Sequence, residues 1–373
     1  MSDLSGKPEV LKKINTAMVL NLIRKQGPIS RADISKALNI SRPTVSKLTA
    51  DLLSDGEIVE IGEGESKGGK KPILLKLNSN NAYVVGIHLS HPVTKIALAN
   101  NAGEILVRED MNTDSIENIT DDLSEIIQKC FQFAGLQVNQ ISSIAIGISG
   151  MANPDTGEIL HARFISGLKG LHLKKNLESK FKVPVFIDND VYMGLIGQES
   201  FLENKPSSMA FVTIGELVGL GMMIEGKVYR GGRYAAGEIG DMLINASQQL
   251  SNGFQADGGY LERWLEWNKI EPILLENDSD DIEKSQIVSQ YRFMIACCLS
   301  NIICLYDPER IFIGGKILKS NHLPAIQELL HQINPRAPLL ETTYYKGDTE
   351  LMGSLYMAIQ ILHKNLTINE NLF

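Results

Sequence analysis

Arg42, Thr44 and Lys47 fall close together in the segment SRPTVSKLTADLLSDG, and Lys67, Lys70 and Lys71 fall together in EGESKGGKK. Guanidinium and ammonium groups at such spacing pair with phosphate oxygens or with guanine edges, and a threonine hydroxyl bonds either backbone or base. A basic loop flanked by glycines suits phosphate or minor-groove contact. The chemistry these residues offer is recognition of a nucleic acid.

The elements that must position them are legible around them. Residues 11–26 place Ile14, Met18, Leu22 and Ile23 at helical intervals, which predicts a helix with that face buried. A Gly27-Pro28 break follows, and Ser30 is placed to cap a second helix, with Asp33 three residues on. Asn39-Ile40 forms the next turn. Ser41 caps a third helix and is also a candidate DNA contact, Pro43 suits its first turn, and Gly56 lies just beyond its end. Two short helices joined this tightly read as a helix-turn-helix, whose second helix enters the major groove. Val45 and Leu48 fall on the side of that helix that faces its own core. The segments EIVEIG and PILLKLN, joined by the basic loop, read as a two-stranded wing.

Charge separates this head from the rest. Residues 1–78 hold 13 Lys and Arg against 9 Asp and Glu, a net of +4, while the whole chain is −8, which leaves −12 on residues 79–373. Attraction for phosphate is thus confined to one end of the molecule.

A chain of 373 residues with 43% hydrophobic content implies two or three globular domains. No apolar run approaches the roughly 20 residues that span a bilayer, and MSDLSGKPEV has no apolar signal region. A cytoplasmic protein is the expectation. Cys297, Cys298 and Cys304 crowd into the apolar segment IACCLSNIICLY, which reads as a buried helix, and Cys130 stands apart. No pair has the spacing of a tetrahedral metal site, so reduced cysteines and no metal are expected. The short polar stretch NSNN at 78–81 reads as a turn that holds the head closely to the remainder of the chain.

From Tyr83 the pattern is strand-rich. YVVGIHL and TKIALANNAGEIL read as strands with a hairpin at Asn100–Gly103, a helix covers roughly 116–134, and ISSIAIGISG and VPVFIDND are buried strands ending in glycines and carboxylates. The theme repeats from Met209 in AFVTIGELVGLGMMIEGKVYRGG, a long apolar helix over 286–306, and the strand RIFIGGKI. Two such units predict duplicated α/β lobes, with ligand bound in the crevice at the carboxyl ends of the strands.

These segments, taken together, resemble the ROK family (repressors, open reading frames and sugar kinases), specifically its winged-helix repressor branch, over essentially the whole chain. The wing GEGESKGGKKP resembles that branch's glycine-rich wing, VFIDNDVYMGLIGQ the sugar-site strand and helix, and YRGGRYAAGEIGDM a signature that normally ends Glu-Ile-Gly-His. The resemblance implies an α/β fold. It consists of an N-terminal winged helix-turn-helix at 1–78 and a two-lobed body of the ribonuclease H, actin and hexokinase type. Lobe 1 spans 79–190, completed by a C-terminal helix at 350–373, and lobe 2 spans 191–349. It also implies a sugar cage: Asn189 and Asp190 stand at the family's sugar-binding pair, with Asp190 at the kinases' catalytic base. Glu238 opens the signature, Asp241 stands where its histidine would be, and Glu262 matches a further sugar-contacting carboxylate. Carboxylate acceptors suit vicinal hydroxyls. The Pro-Asn that precedes the lobe crossover in the family is replaced by Arg163-Phe164.

The kinase parts are eroded by comparison. The first phosphate turn becomes His88-Leu89-Ser90-His91-Pro92-Val93-Thr94-Lys95, without its Asp and glycines, and Pro92 has no N–H to donate. The second becomes Gly215-Glu216-Leu217-Val218-Gly219. A bare carboxylate there, about 4 Å from a phosphate charge, would repel it by roughly 4 kcal/mol at an effective dielectric of 20. Gly314-Gly315 survives and is explained by a tight strand-to-helix turn. The family's zinc loop is matched by SNGFQADGGYLERW, without cysteine, so no zinc and no cofactor are expected; packing of Phe254, Tyr260 and Trp264 would hold that loop instead. The expectation is a non-enzymatic transcriptional regulator, a repressor by family analogy. It would bind a palindromic duplex operator as a homodimer or higher oligomer and respond to a carbohydrate-like metabolite. The alternatives are a ligand-independent DNA-binding scaffold and an active sugar kinase with a regulatory head.

Overall fold

The computed structural model describes residues 8–64, 71–162, 165, 167–168, 170–243, 261–262, 267–275, 282–319, 321–345 and 347–364. The head comprises α1 (Pro8–Gln26), β1 (Ile29–Ser30), α2 (Arg31–Leu38), α3 (Arg42–Ser54), β2 (Ile58–Glu63) and β3 (Ile73–Leu77). Its sheet runs β1-β3-β2. The Ser30 hydroxyl accepts from Asp33 N and the Ser41 hydroxyl from Thr44 N, so each helix starts where a side-chain oxygen satisfies an otherwise orphaned amide. Val45 and Leu48 are buried with Ile23, Ile34, Ile58 and Leu75.

The buried face of α1 matches the expected one at Ile23 and, in part, Leu22, but not at Ile14 and Met18. Val19, Leu20 and Ile23 form it, whereas Ile14 and Met18 are 43% and 41% exposed and Leu11 is 62% exposed. The helix is longer than the domain it packs on, and only its C-terminal part meets the head core. Apolar spacing alone does not say how far along a helix its partner extends.

Lobe 1 contains β4 (Tyr83–Leu89), β5 (Val93–Asn100), β6 (Ile105–Asn112), α4 (Ile119–Phe133), β7 (Ile141–Ile148), β8 (Gly150–Asn153), β9 (Glu158–Ala162), α5 (Leu173–Phe181) and β10 (Val185–Asn189). The main sheet is ordered β10-β7-β4-β5-β6, with β7 parallel to both β4 and β10. Alternation along β4 serves two cores. Tyr83, Val85, Ile87 and Leu89 pack with α4 and α5, and Val84 packs on the opposite face. The expected hairpin closes with Gly103 N donating to Asn100 O at 2.9 Å.

Helix α6 (Asp190–Ser200) leads into β11 (Met209–Ile214), β12 (Val218–Ile224), β13 (Lys227–Val228), α7 (Trp267–Leu275), α8 (Ile282–Tyr306), β14 (Arg310–Gly314), α9 (Leu323–Ile333) and β15 (Leu340–Thr342). Their sheet runs β13-β12-β11-β14-β15. The last helix, α10 (Thr349–Lys364), returns to the face of the first sheet that carries Val84, packing there beside α6.

Helix α8 corrects two expectations. Its stretch Lys284–Tyr306, with mean hydropathy 1.4, is long and apolar enough to cross a membrane by composition, contrary to the reading that no run approaches that length. Half of it is buried in the protein, with Tyr291, Ile295, Leu299 and Ile302 set into the core of the second sheet. Its cysteines are not uniformly buried: Cys298 is, Cys297 partly so, and Cys304 is exposed, because it lies on the side of the helix turned away from the core that Ile302 and Ile303 enter.

Candidate functional site

The start of α3 presents Ser41, Arg42, Thr44 and Lys47 to solvent, while Val45 and Leu48 turn inward. The Ser41 hydroxyl lies 2.7 Å from the Thr44 hydroxyl and caps Thr44 N, so its first duty is local. Arg31 braces the module from α2: Nε donates to the Thr49 hydroxyl at 3.1 Å and Nη2 to Glu60 at 2.8 Å. Lys71 is exposed at the foot of β3, 3.7 Å from Glu63. Lys67 and Lys70 lie outside the described residues.

Between the two large sheets lies a cavity of about 600 Å³, within the range of small-molecule sites. Asn189, Asp190, Glu238 and Glu262 all line it. Asp241 is not in its lining. It sits at the end of the 3-10 turn Ile239–Asp241, whose closing bond runs from Asp241 N to Glu238 O, and that turn carries it off the wall that Glu238 occupies. Arg163, Phe164, Phe254, Tyr260 and Trp264 lie outside the described residues.

Asp190 opens α6, and donors surround it. The Ser149 hydroxyl donates to Oδ2 at 2.5 Å, His88 Nε2 lies 3.1 Å from the same oxygen, and Val191 N donates to Oδ1 at 2.9 Å. His88 and Asp190 are both largely buried, at 14% and 13% side-chain exposure. Burial lowers the imidazole's affinity for a proton, but the hydrogen bond and charge of Asp190 outweigh it, and the His88 pKa stands above its ordinary value. Burial also raises the Glu350 carboxyl, which faces His88 from the start of α10.

Asn189 acts as the α6 cap. Its Oδ1 accepts from Val191 N and Tyr192 N, and its Nδ2 donates to Gly150 O at 2.7 Å. A single Nδ2 proton is left for a ligand. Glu262 is partly engaged too, accepting from Val218 N at 3.1 Å.

At the far end of the cavity Glu216 is not the bare carboxylate expected from the sequence. Lys316 Nζ lies 2.5 Å from it, so the two form an ion pair on the cavity wall that offsets the carboxylate's charge. Lys95 is likewise turned to Asp348 at 2.8 Å and to Gly347 O at 2.7 Å. Gly315 has φ +83°, and a Cβ there would lie 2.6 Å from Ile214 O, so the surviving Gly-Gly has a sufficient structural reason.

One pairing escaped the sequence reading. Asp188, fully buried beside the cage, receives Arg230 Nε at 2.9 Å and Nη2 at 2.7 Å, and so joins β10 of lobe 1 to the segment after β13 of lobe 2. The Tyr192 ring lies 5.8 Å from the same guanidinium, and its hydroxyl donates to Ala236 O. The only sequence hint was the carboxylate-rich end of VFIDND.

A winged helix-turn-helix on a two-lobed body with a sugar-sized cleft defines a DNA-binding regulator of transcription. The ROK family profile matches residues 84–361, a winged helix-turn-helix DNA-binding profile matches residues 15–59, and the chain belongs to the ROK family. It is 27% identical to the xylose repressor of Caldicellulosiruptor bescii, over 95% of this chain and 97% of that one. Identity is 25% to the xylose repressor of Bacillus subtilis, over 87% and 88%, and 23% to the DNA-binding transcriptional dual regulator NagC of Escherichia coli, over 87% and 86%. Among solved structures, a ROK family transcriptional regulator described as a homologue of E. coli Mlc shares the fold with a TM-score of 0.75 at 23% identity, covering 95% of this chain and 98% of that one. A ROK glucokinase from Streptomyces griseus, in complex with glucose and AMPPNP, matches the body with a TM-score of 0.60 at 16% identity, over 75% and 100%.

Proposed function

We propose that the protein is a cytoplasmic, non-enzymatic repressor that acts as a homodimer on a palindromic operator and is released by a neutral sugar bound in the cleft. The observation that carries the reading is the surrounding of Asp190. A catalytic base must be free to take a proton from the substrate hydroxyl. Here both carboxylate oxygens already accept from protein donors. The Glu216–Lys316 ion pair stands on the cavity wall at the second phosphate turn, and Pro92 offers no amide at the first. What the cleft retains are acceptors for hydroxyls, namely Glu238, Glu262 and the one lone pair left on Asp190 Oδ1. That carboxylate excess disfavours a sugar phosphate and favours a neutral sugar. A pentose is the first choice, because two relatives are named for xylose.

A ligand that binds the closed cleft better than the open one shifts the population toward closure and changes the spacing of two heads. The test combines two measurements on the purified chain. D-xylose is expected to raise its melting temperature while D-xylose 5-phosphate does not, and a coupled assay with ATP and either D-xylose or D-glucose is expected to yield no ADP. Sugar-dependent ADP formation would restore the kinase reading. No thermal shift with any neutral sugar in a pentose and hexose panel would favour a ligand-independent scaffold.

A further inference from the structure

Helix α10 touches both ends of the regulatory problem. Its first residues, Thr349 and Glu350, form part of the cavity wall, where Glu350 lies in the field of His88 and Asp190. Toward its other end, Tyr356 and the buried His363 lie within electrostatic reach of Arg24, in the last turn of the head helix α1. At 1.5 Å per residue, the 16 residues of α10 make a strut of about 24 Å. It cannot slide freely on α6. A Cβ at Gly353 would lie 1.7 Å from the Met193 carbonyl oxygen, and one at Gly197 would lie 2.8 Å from Gly353 N, so the two helices cross with their backbones in contact. Helix α6 itself starts at Asp190 in the cavity. A ligand that displaces the start of either helix displaces both.

Arg24 is the unusual group at the head end. Its Nε and Nη2 are buried and have no hydrogen-bond partner among the described residues. Glu57 and Tyr356 are close enough to act on it through space, yet neither accepts from those two nitrogens. Burial pushes the guanidinium down to about 10. His363, 6% exposed, is pushed down to about 3 by burial, with Arg24's charge adding to it, so it lies in the arginine's field as a neutral ring. Buried donors left without acceptors cost free energy, and an apolar side chain of the same reach would dock this joint more firmly. Native structures rarely keep such a group without a reason.

We infer that Arg24 is a positioning residue that keeps the docking of the head on α10 weak, so that the head leaves α10 when the cavity end of that helix is displaced. The weakness of the joint stands on Arg24 alone; only its link to the cavity rests on the cleft being an effector chamber.

Hydrogen–deuterium exchange of the full-length chain tests both halves. Without ligand, Arg24→Met is expected to slow exchange of residues 19–26 and 356–364 by roughly five- to thirtyfold, and Arg24→Lys is expected to leave it near wild type. Wild-type or faster exchange in Arg24→Met would overturn the proposal. His363→Glu supplies the missing acceptor instead of removing the charge, and it too is expected to slow exchange at 19–26; faster exchange there would count equally against the joint, even if Arg24→Met fails to fold. With D-xylose at a concentration that saturates its thermal shift, exchange at both segments is expected to rise in wild type and to stay slow in Arg24→Met. Bound xylose with unchanged exchange in wild type would sever the joint from the cavity while leaving the cleft reading intact. Absence of xylose binding would count against the cleft reading alone, since the ligand-free comparison judges Arg24 by itself.

Discussion

At the scale of single residues, the function proposed for the cleft turns on Asp190. The kinase fold supplies a carboxylate at the start of α6, and this chain surrounds it with Ser149, His88 and the amide of Val191. Asp190→Ala and Glu238→Ala are each expected to leave operator affinity nearly intact and to abolish its response to sugar, as read from DNA-binding titrations with and without D-xylose. Loss of DNA binding in folded variants would make these residues part of the lobe joint instead. The His88–Asp190 pair also predicts a pH dependence. Because the folded state raises the imidazole above 6.5, the pair contributes stability that is fully present below the unfolded-state value and is lost as pH rises through the folded-state value. Urea midpoints should therefore fall across that interval in wild type and fall less in His88→Gln. Equal slopes in both proteins would show that the pair does not hold its proton.

At the scale of elements, the proposed function divides the labour of DNA binding between α3 and the wing. If Arg42, at the exposed start of α3, contacts a base as proposed, Arg42→Ala is expected to cost about 1–3 kcal/mol of discrimination with little change on unrelated DNA. The double substitution Lys70→Ala with Lys71→Ala should weaken binding to all sequences and flatten the log–log salt slope by roughly 2. Fluorescence anisotropy across a salt series, on a duplex selected from a random pool, reads both effects; an unchanged slope would remove the wing from the interface. The crossing of α6 and α10 makes a separate demand. Gly353→Ala puts a methyl into the Met193 carbonyl and is expected to destabilise the chain by at least about 1–3 kcal/mol in urea unfolding.

At the scale of the whole molecule, the basic head and acidic body place the attraction for DNA at one end, and a lone winged module covers little of a duplex. Two heads joined through their bodies gain affinity from effective concentration and impose two-fold symmetry on the site. Sedimentation equilibrium of the full chain at micromolar concentration should give a dimer or larger species, and the selected duplex should contain inverted half-sites. A monomer bound to a single half-site would require another account of repression. The linker geometry fits heads held close: Asn78 bonds the head at Gly56 O, 2.8 Å away, and Ser79 O accepts from the body at Asn101 N, 3.1 Å away.

The sequence by itself determined the parts of this protein whose causes are local. Ser30 and Ser41 announce helix starts because a cap bonds an amide two or three residues on, and Gly56 and Gly103 mark turns for the same short-range reason. The order of strands and helices in the body, and the loss of glycines from its phosphate turns, were likewise written in consecutive residues. Tertiary structure alone decided the rest. It joined His88 to Asp190 across 102 positions, Lys316 to Glu216 across 100, and Arg230 to Asp188 across 42, where nothing in the spacing names the partner. It turned Asp241 off the cavity wall through a three-residue twist that a motif match cannot see. It buried Val19 and Leu20 rather than Ile14 and Met18, and it set the membrane-like run of α8 half into the core of a globular lobe. A side chain's periodicity is a property of its own helix or strand; its partner, and therefore its charge state and its use, depends on which other element the fold brings against it.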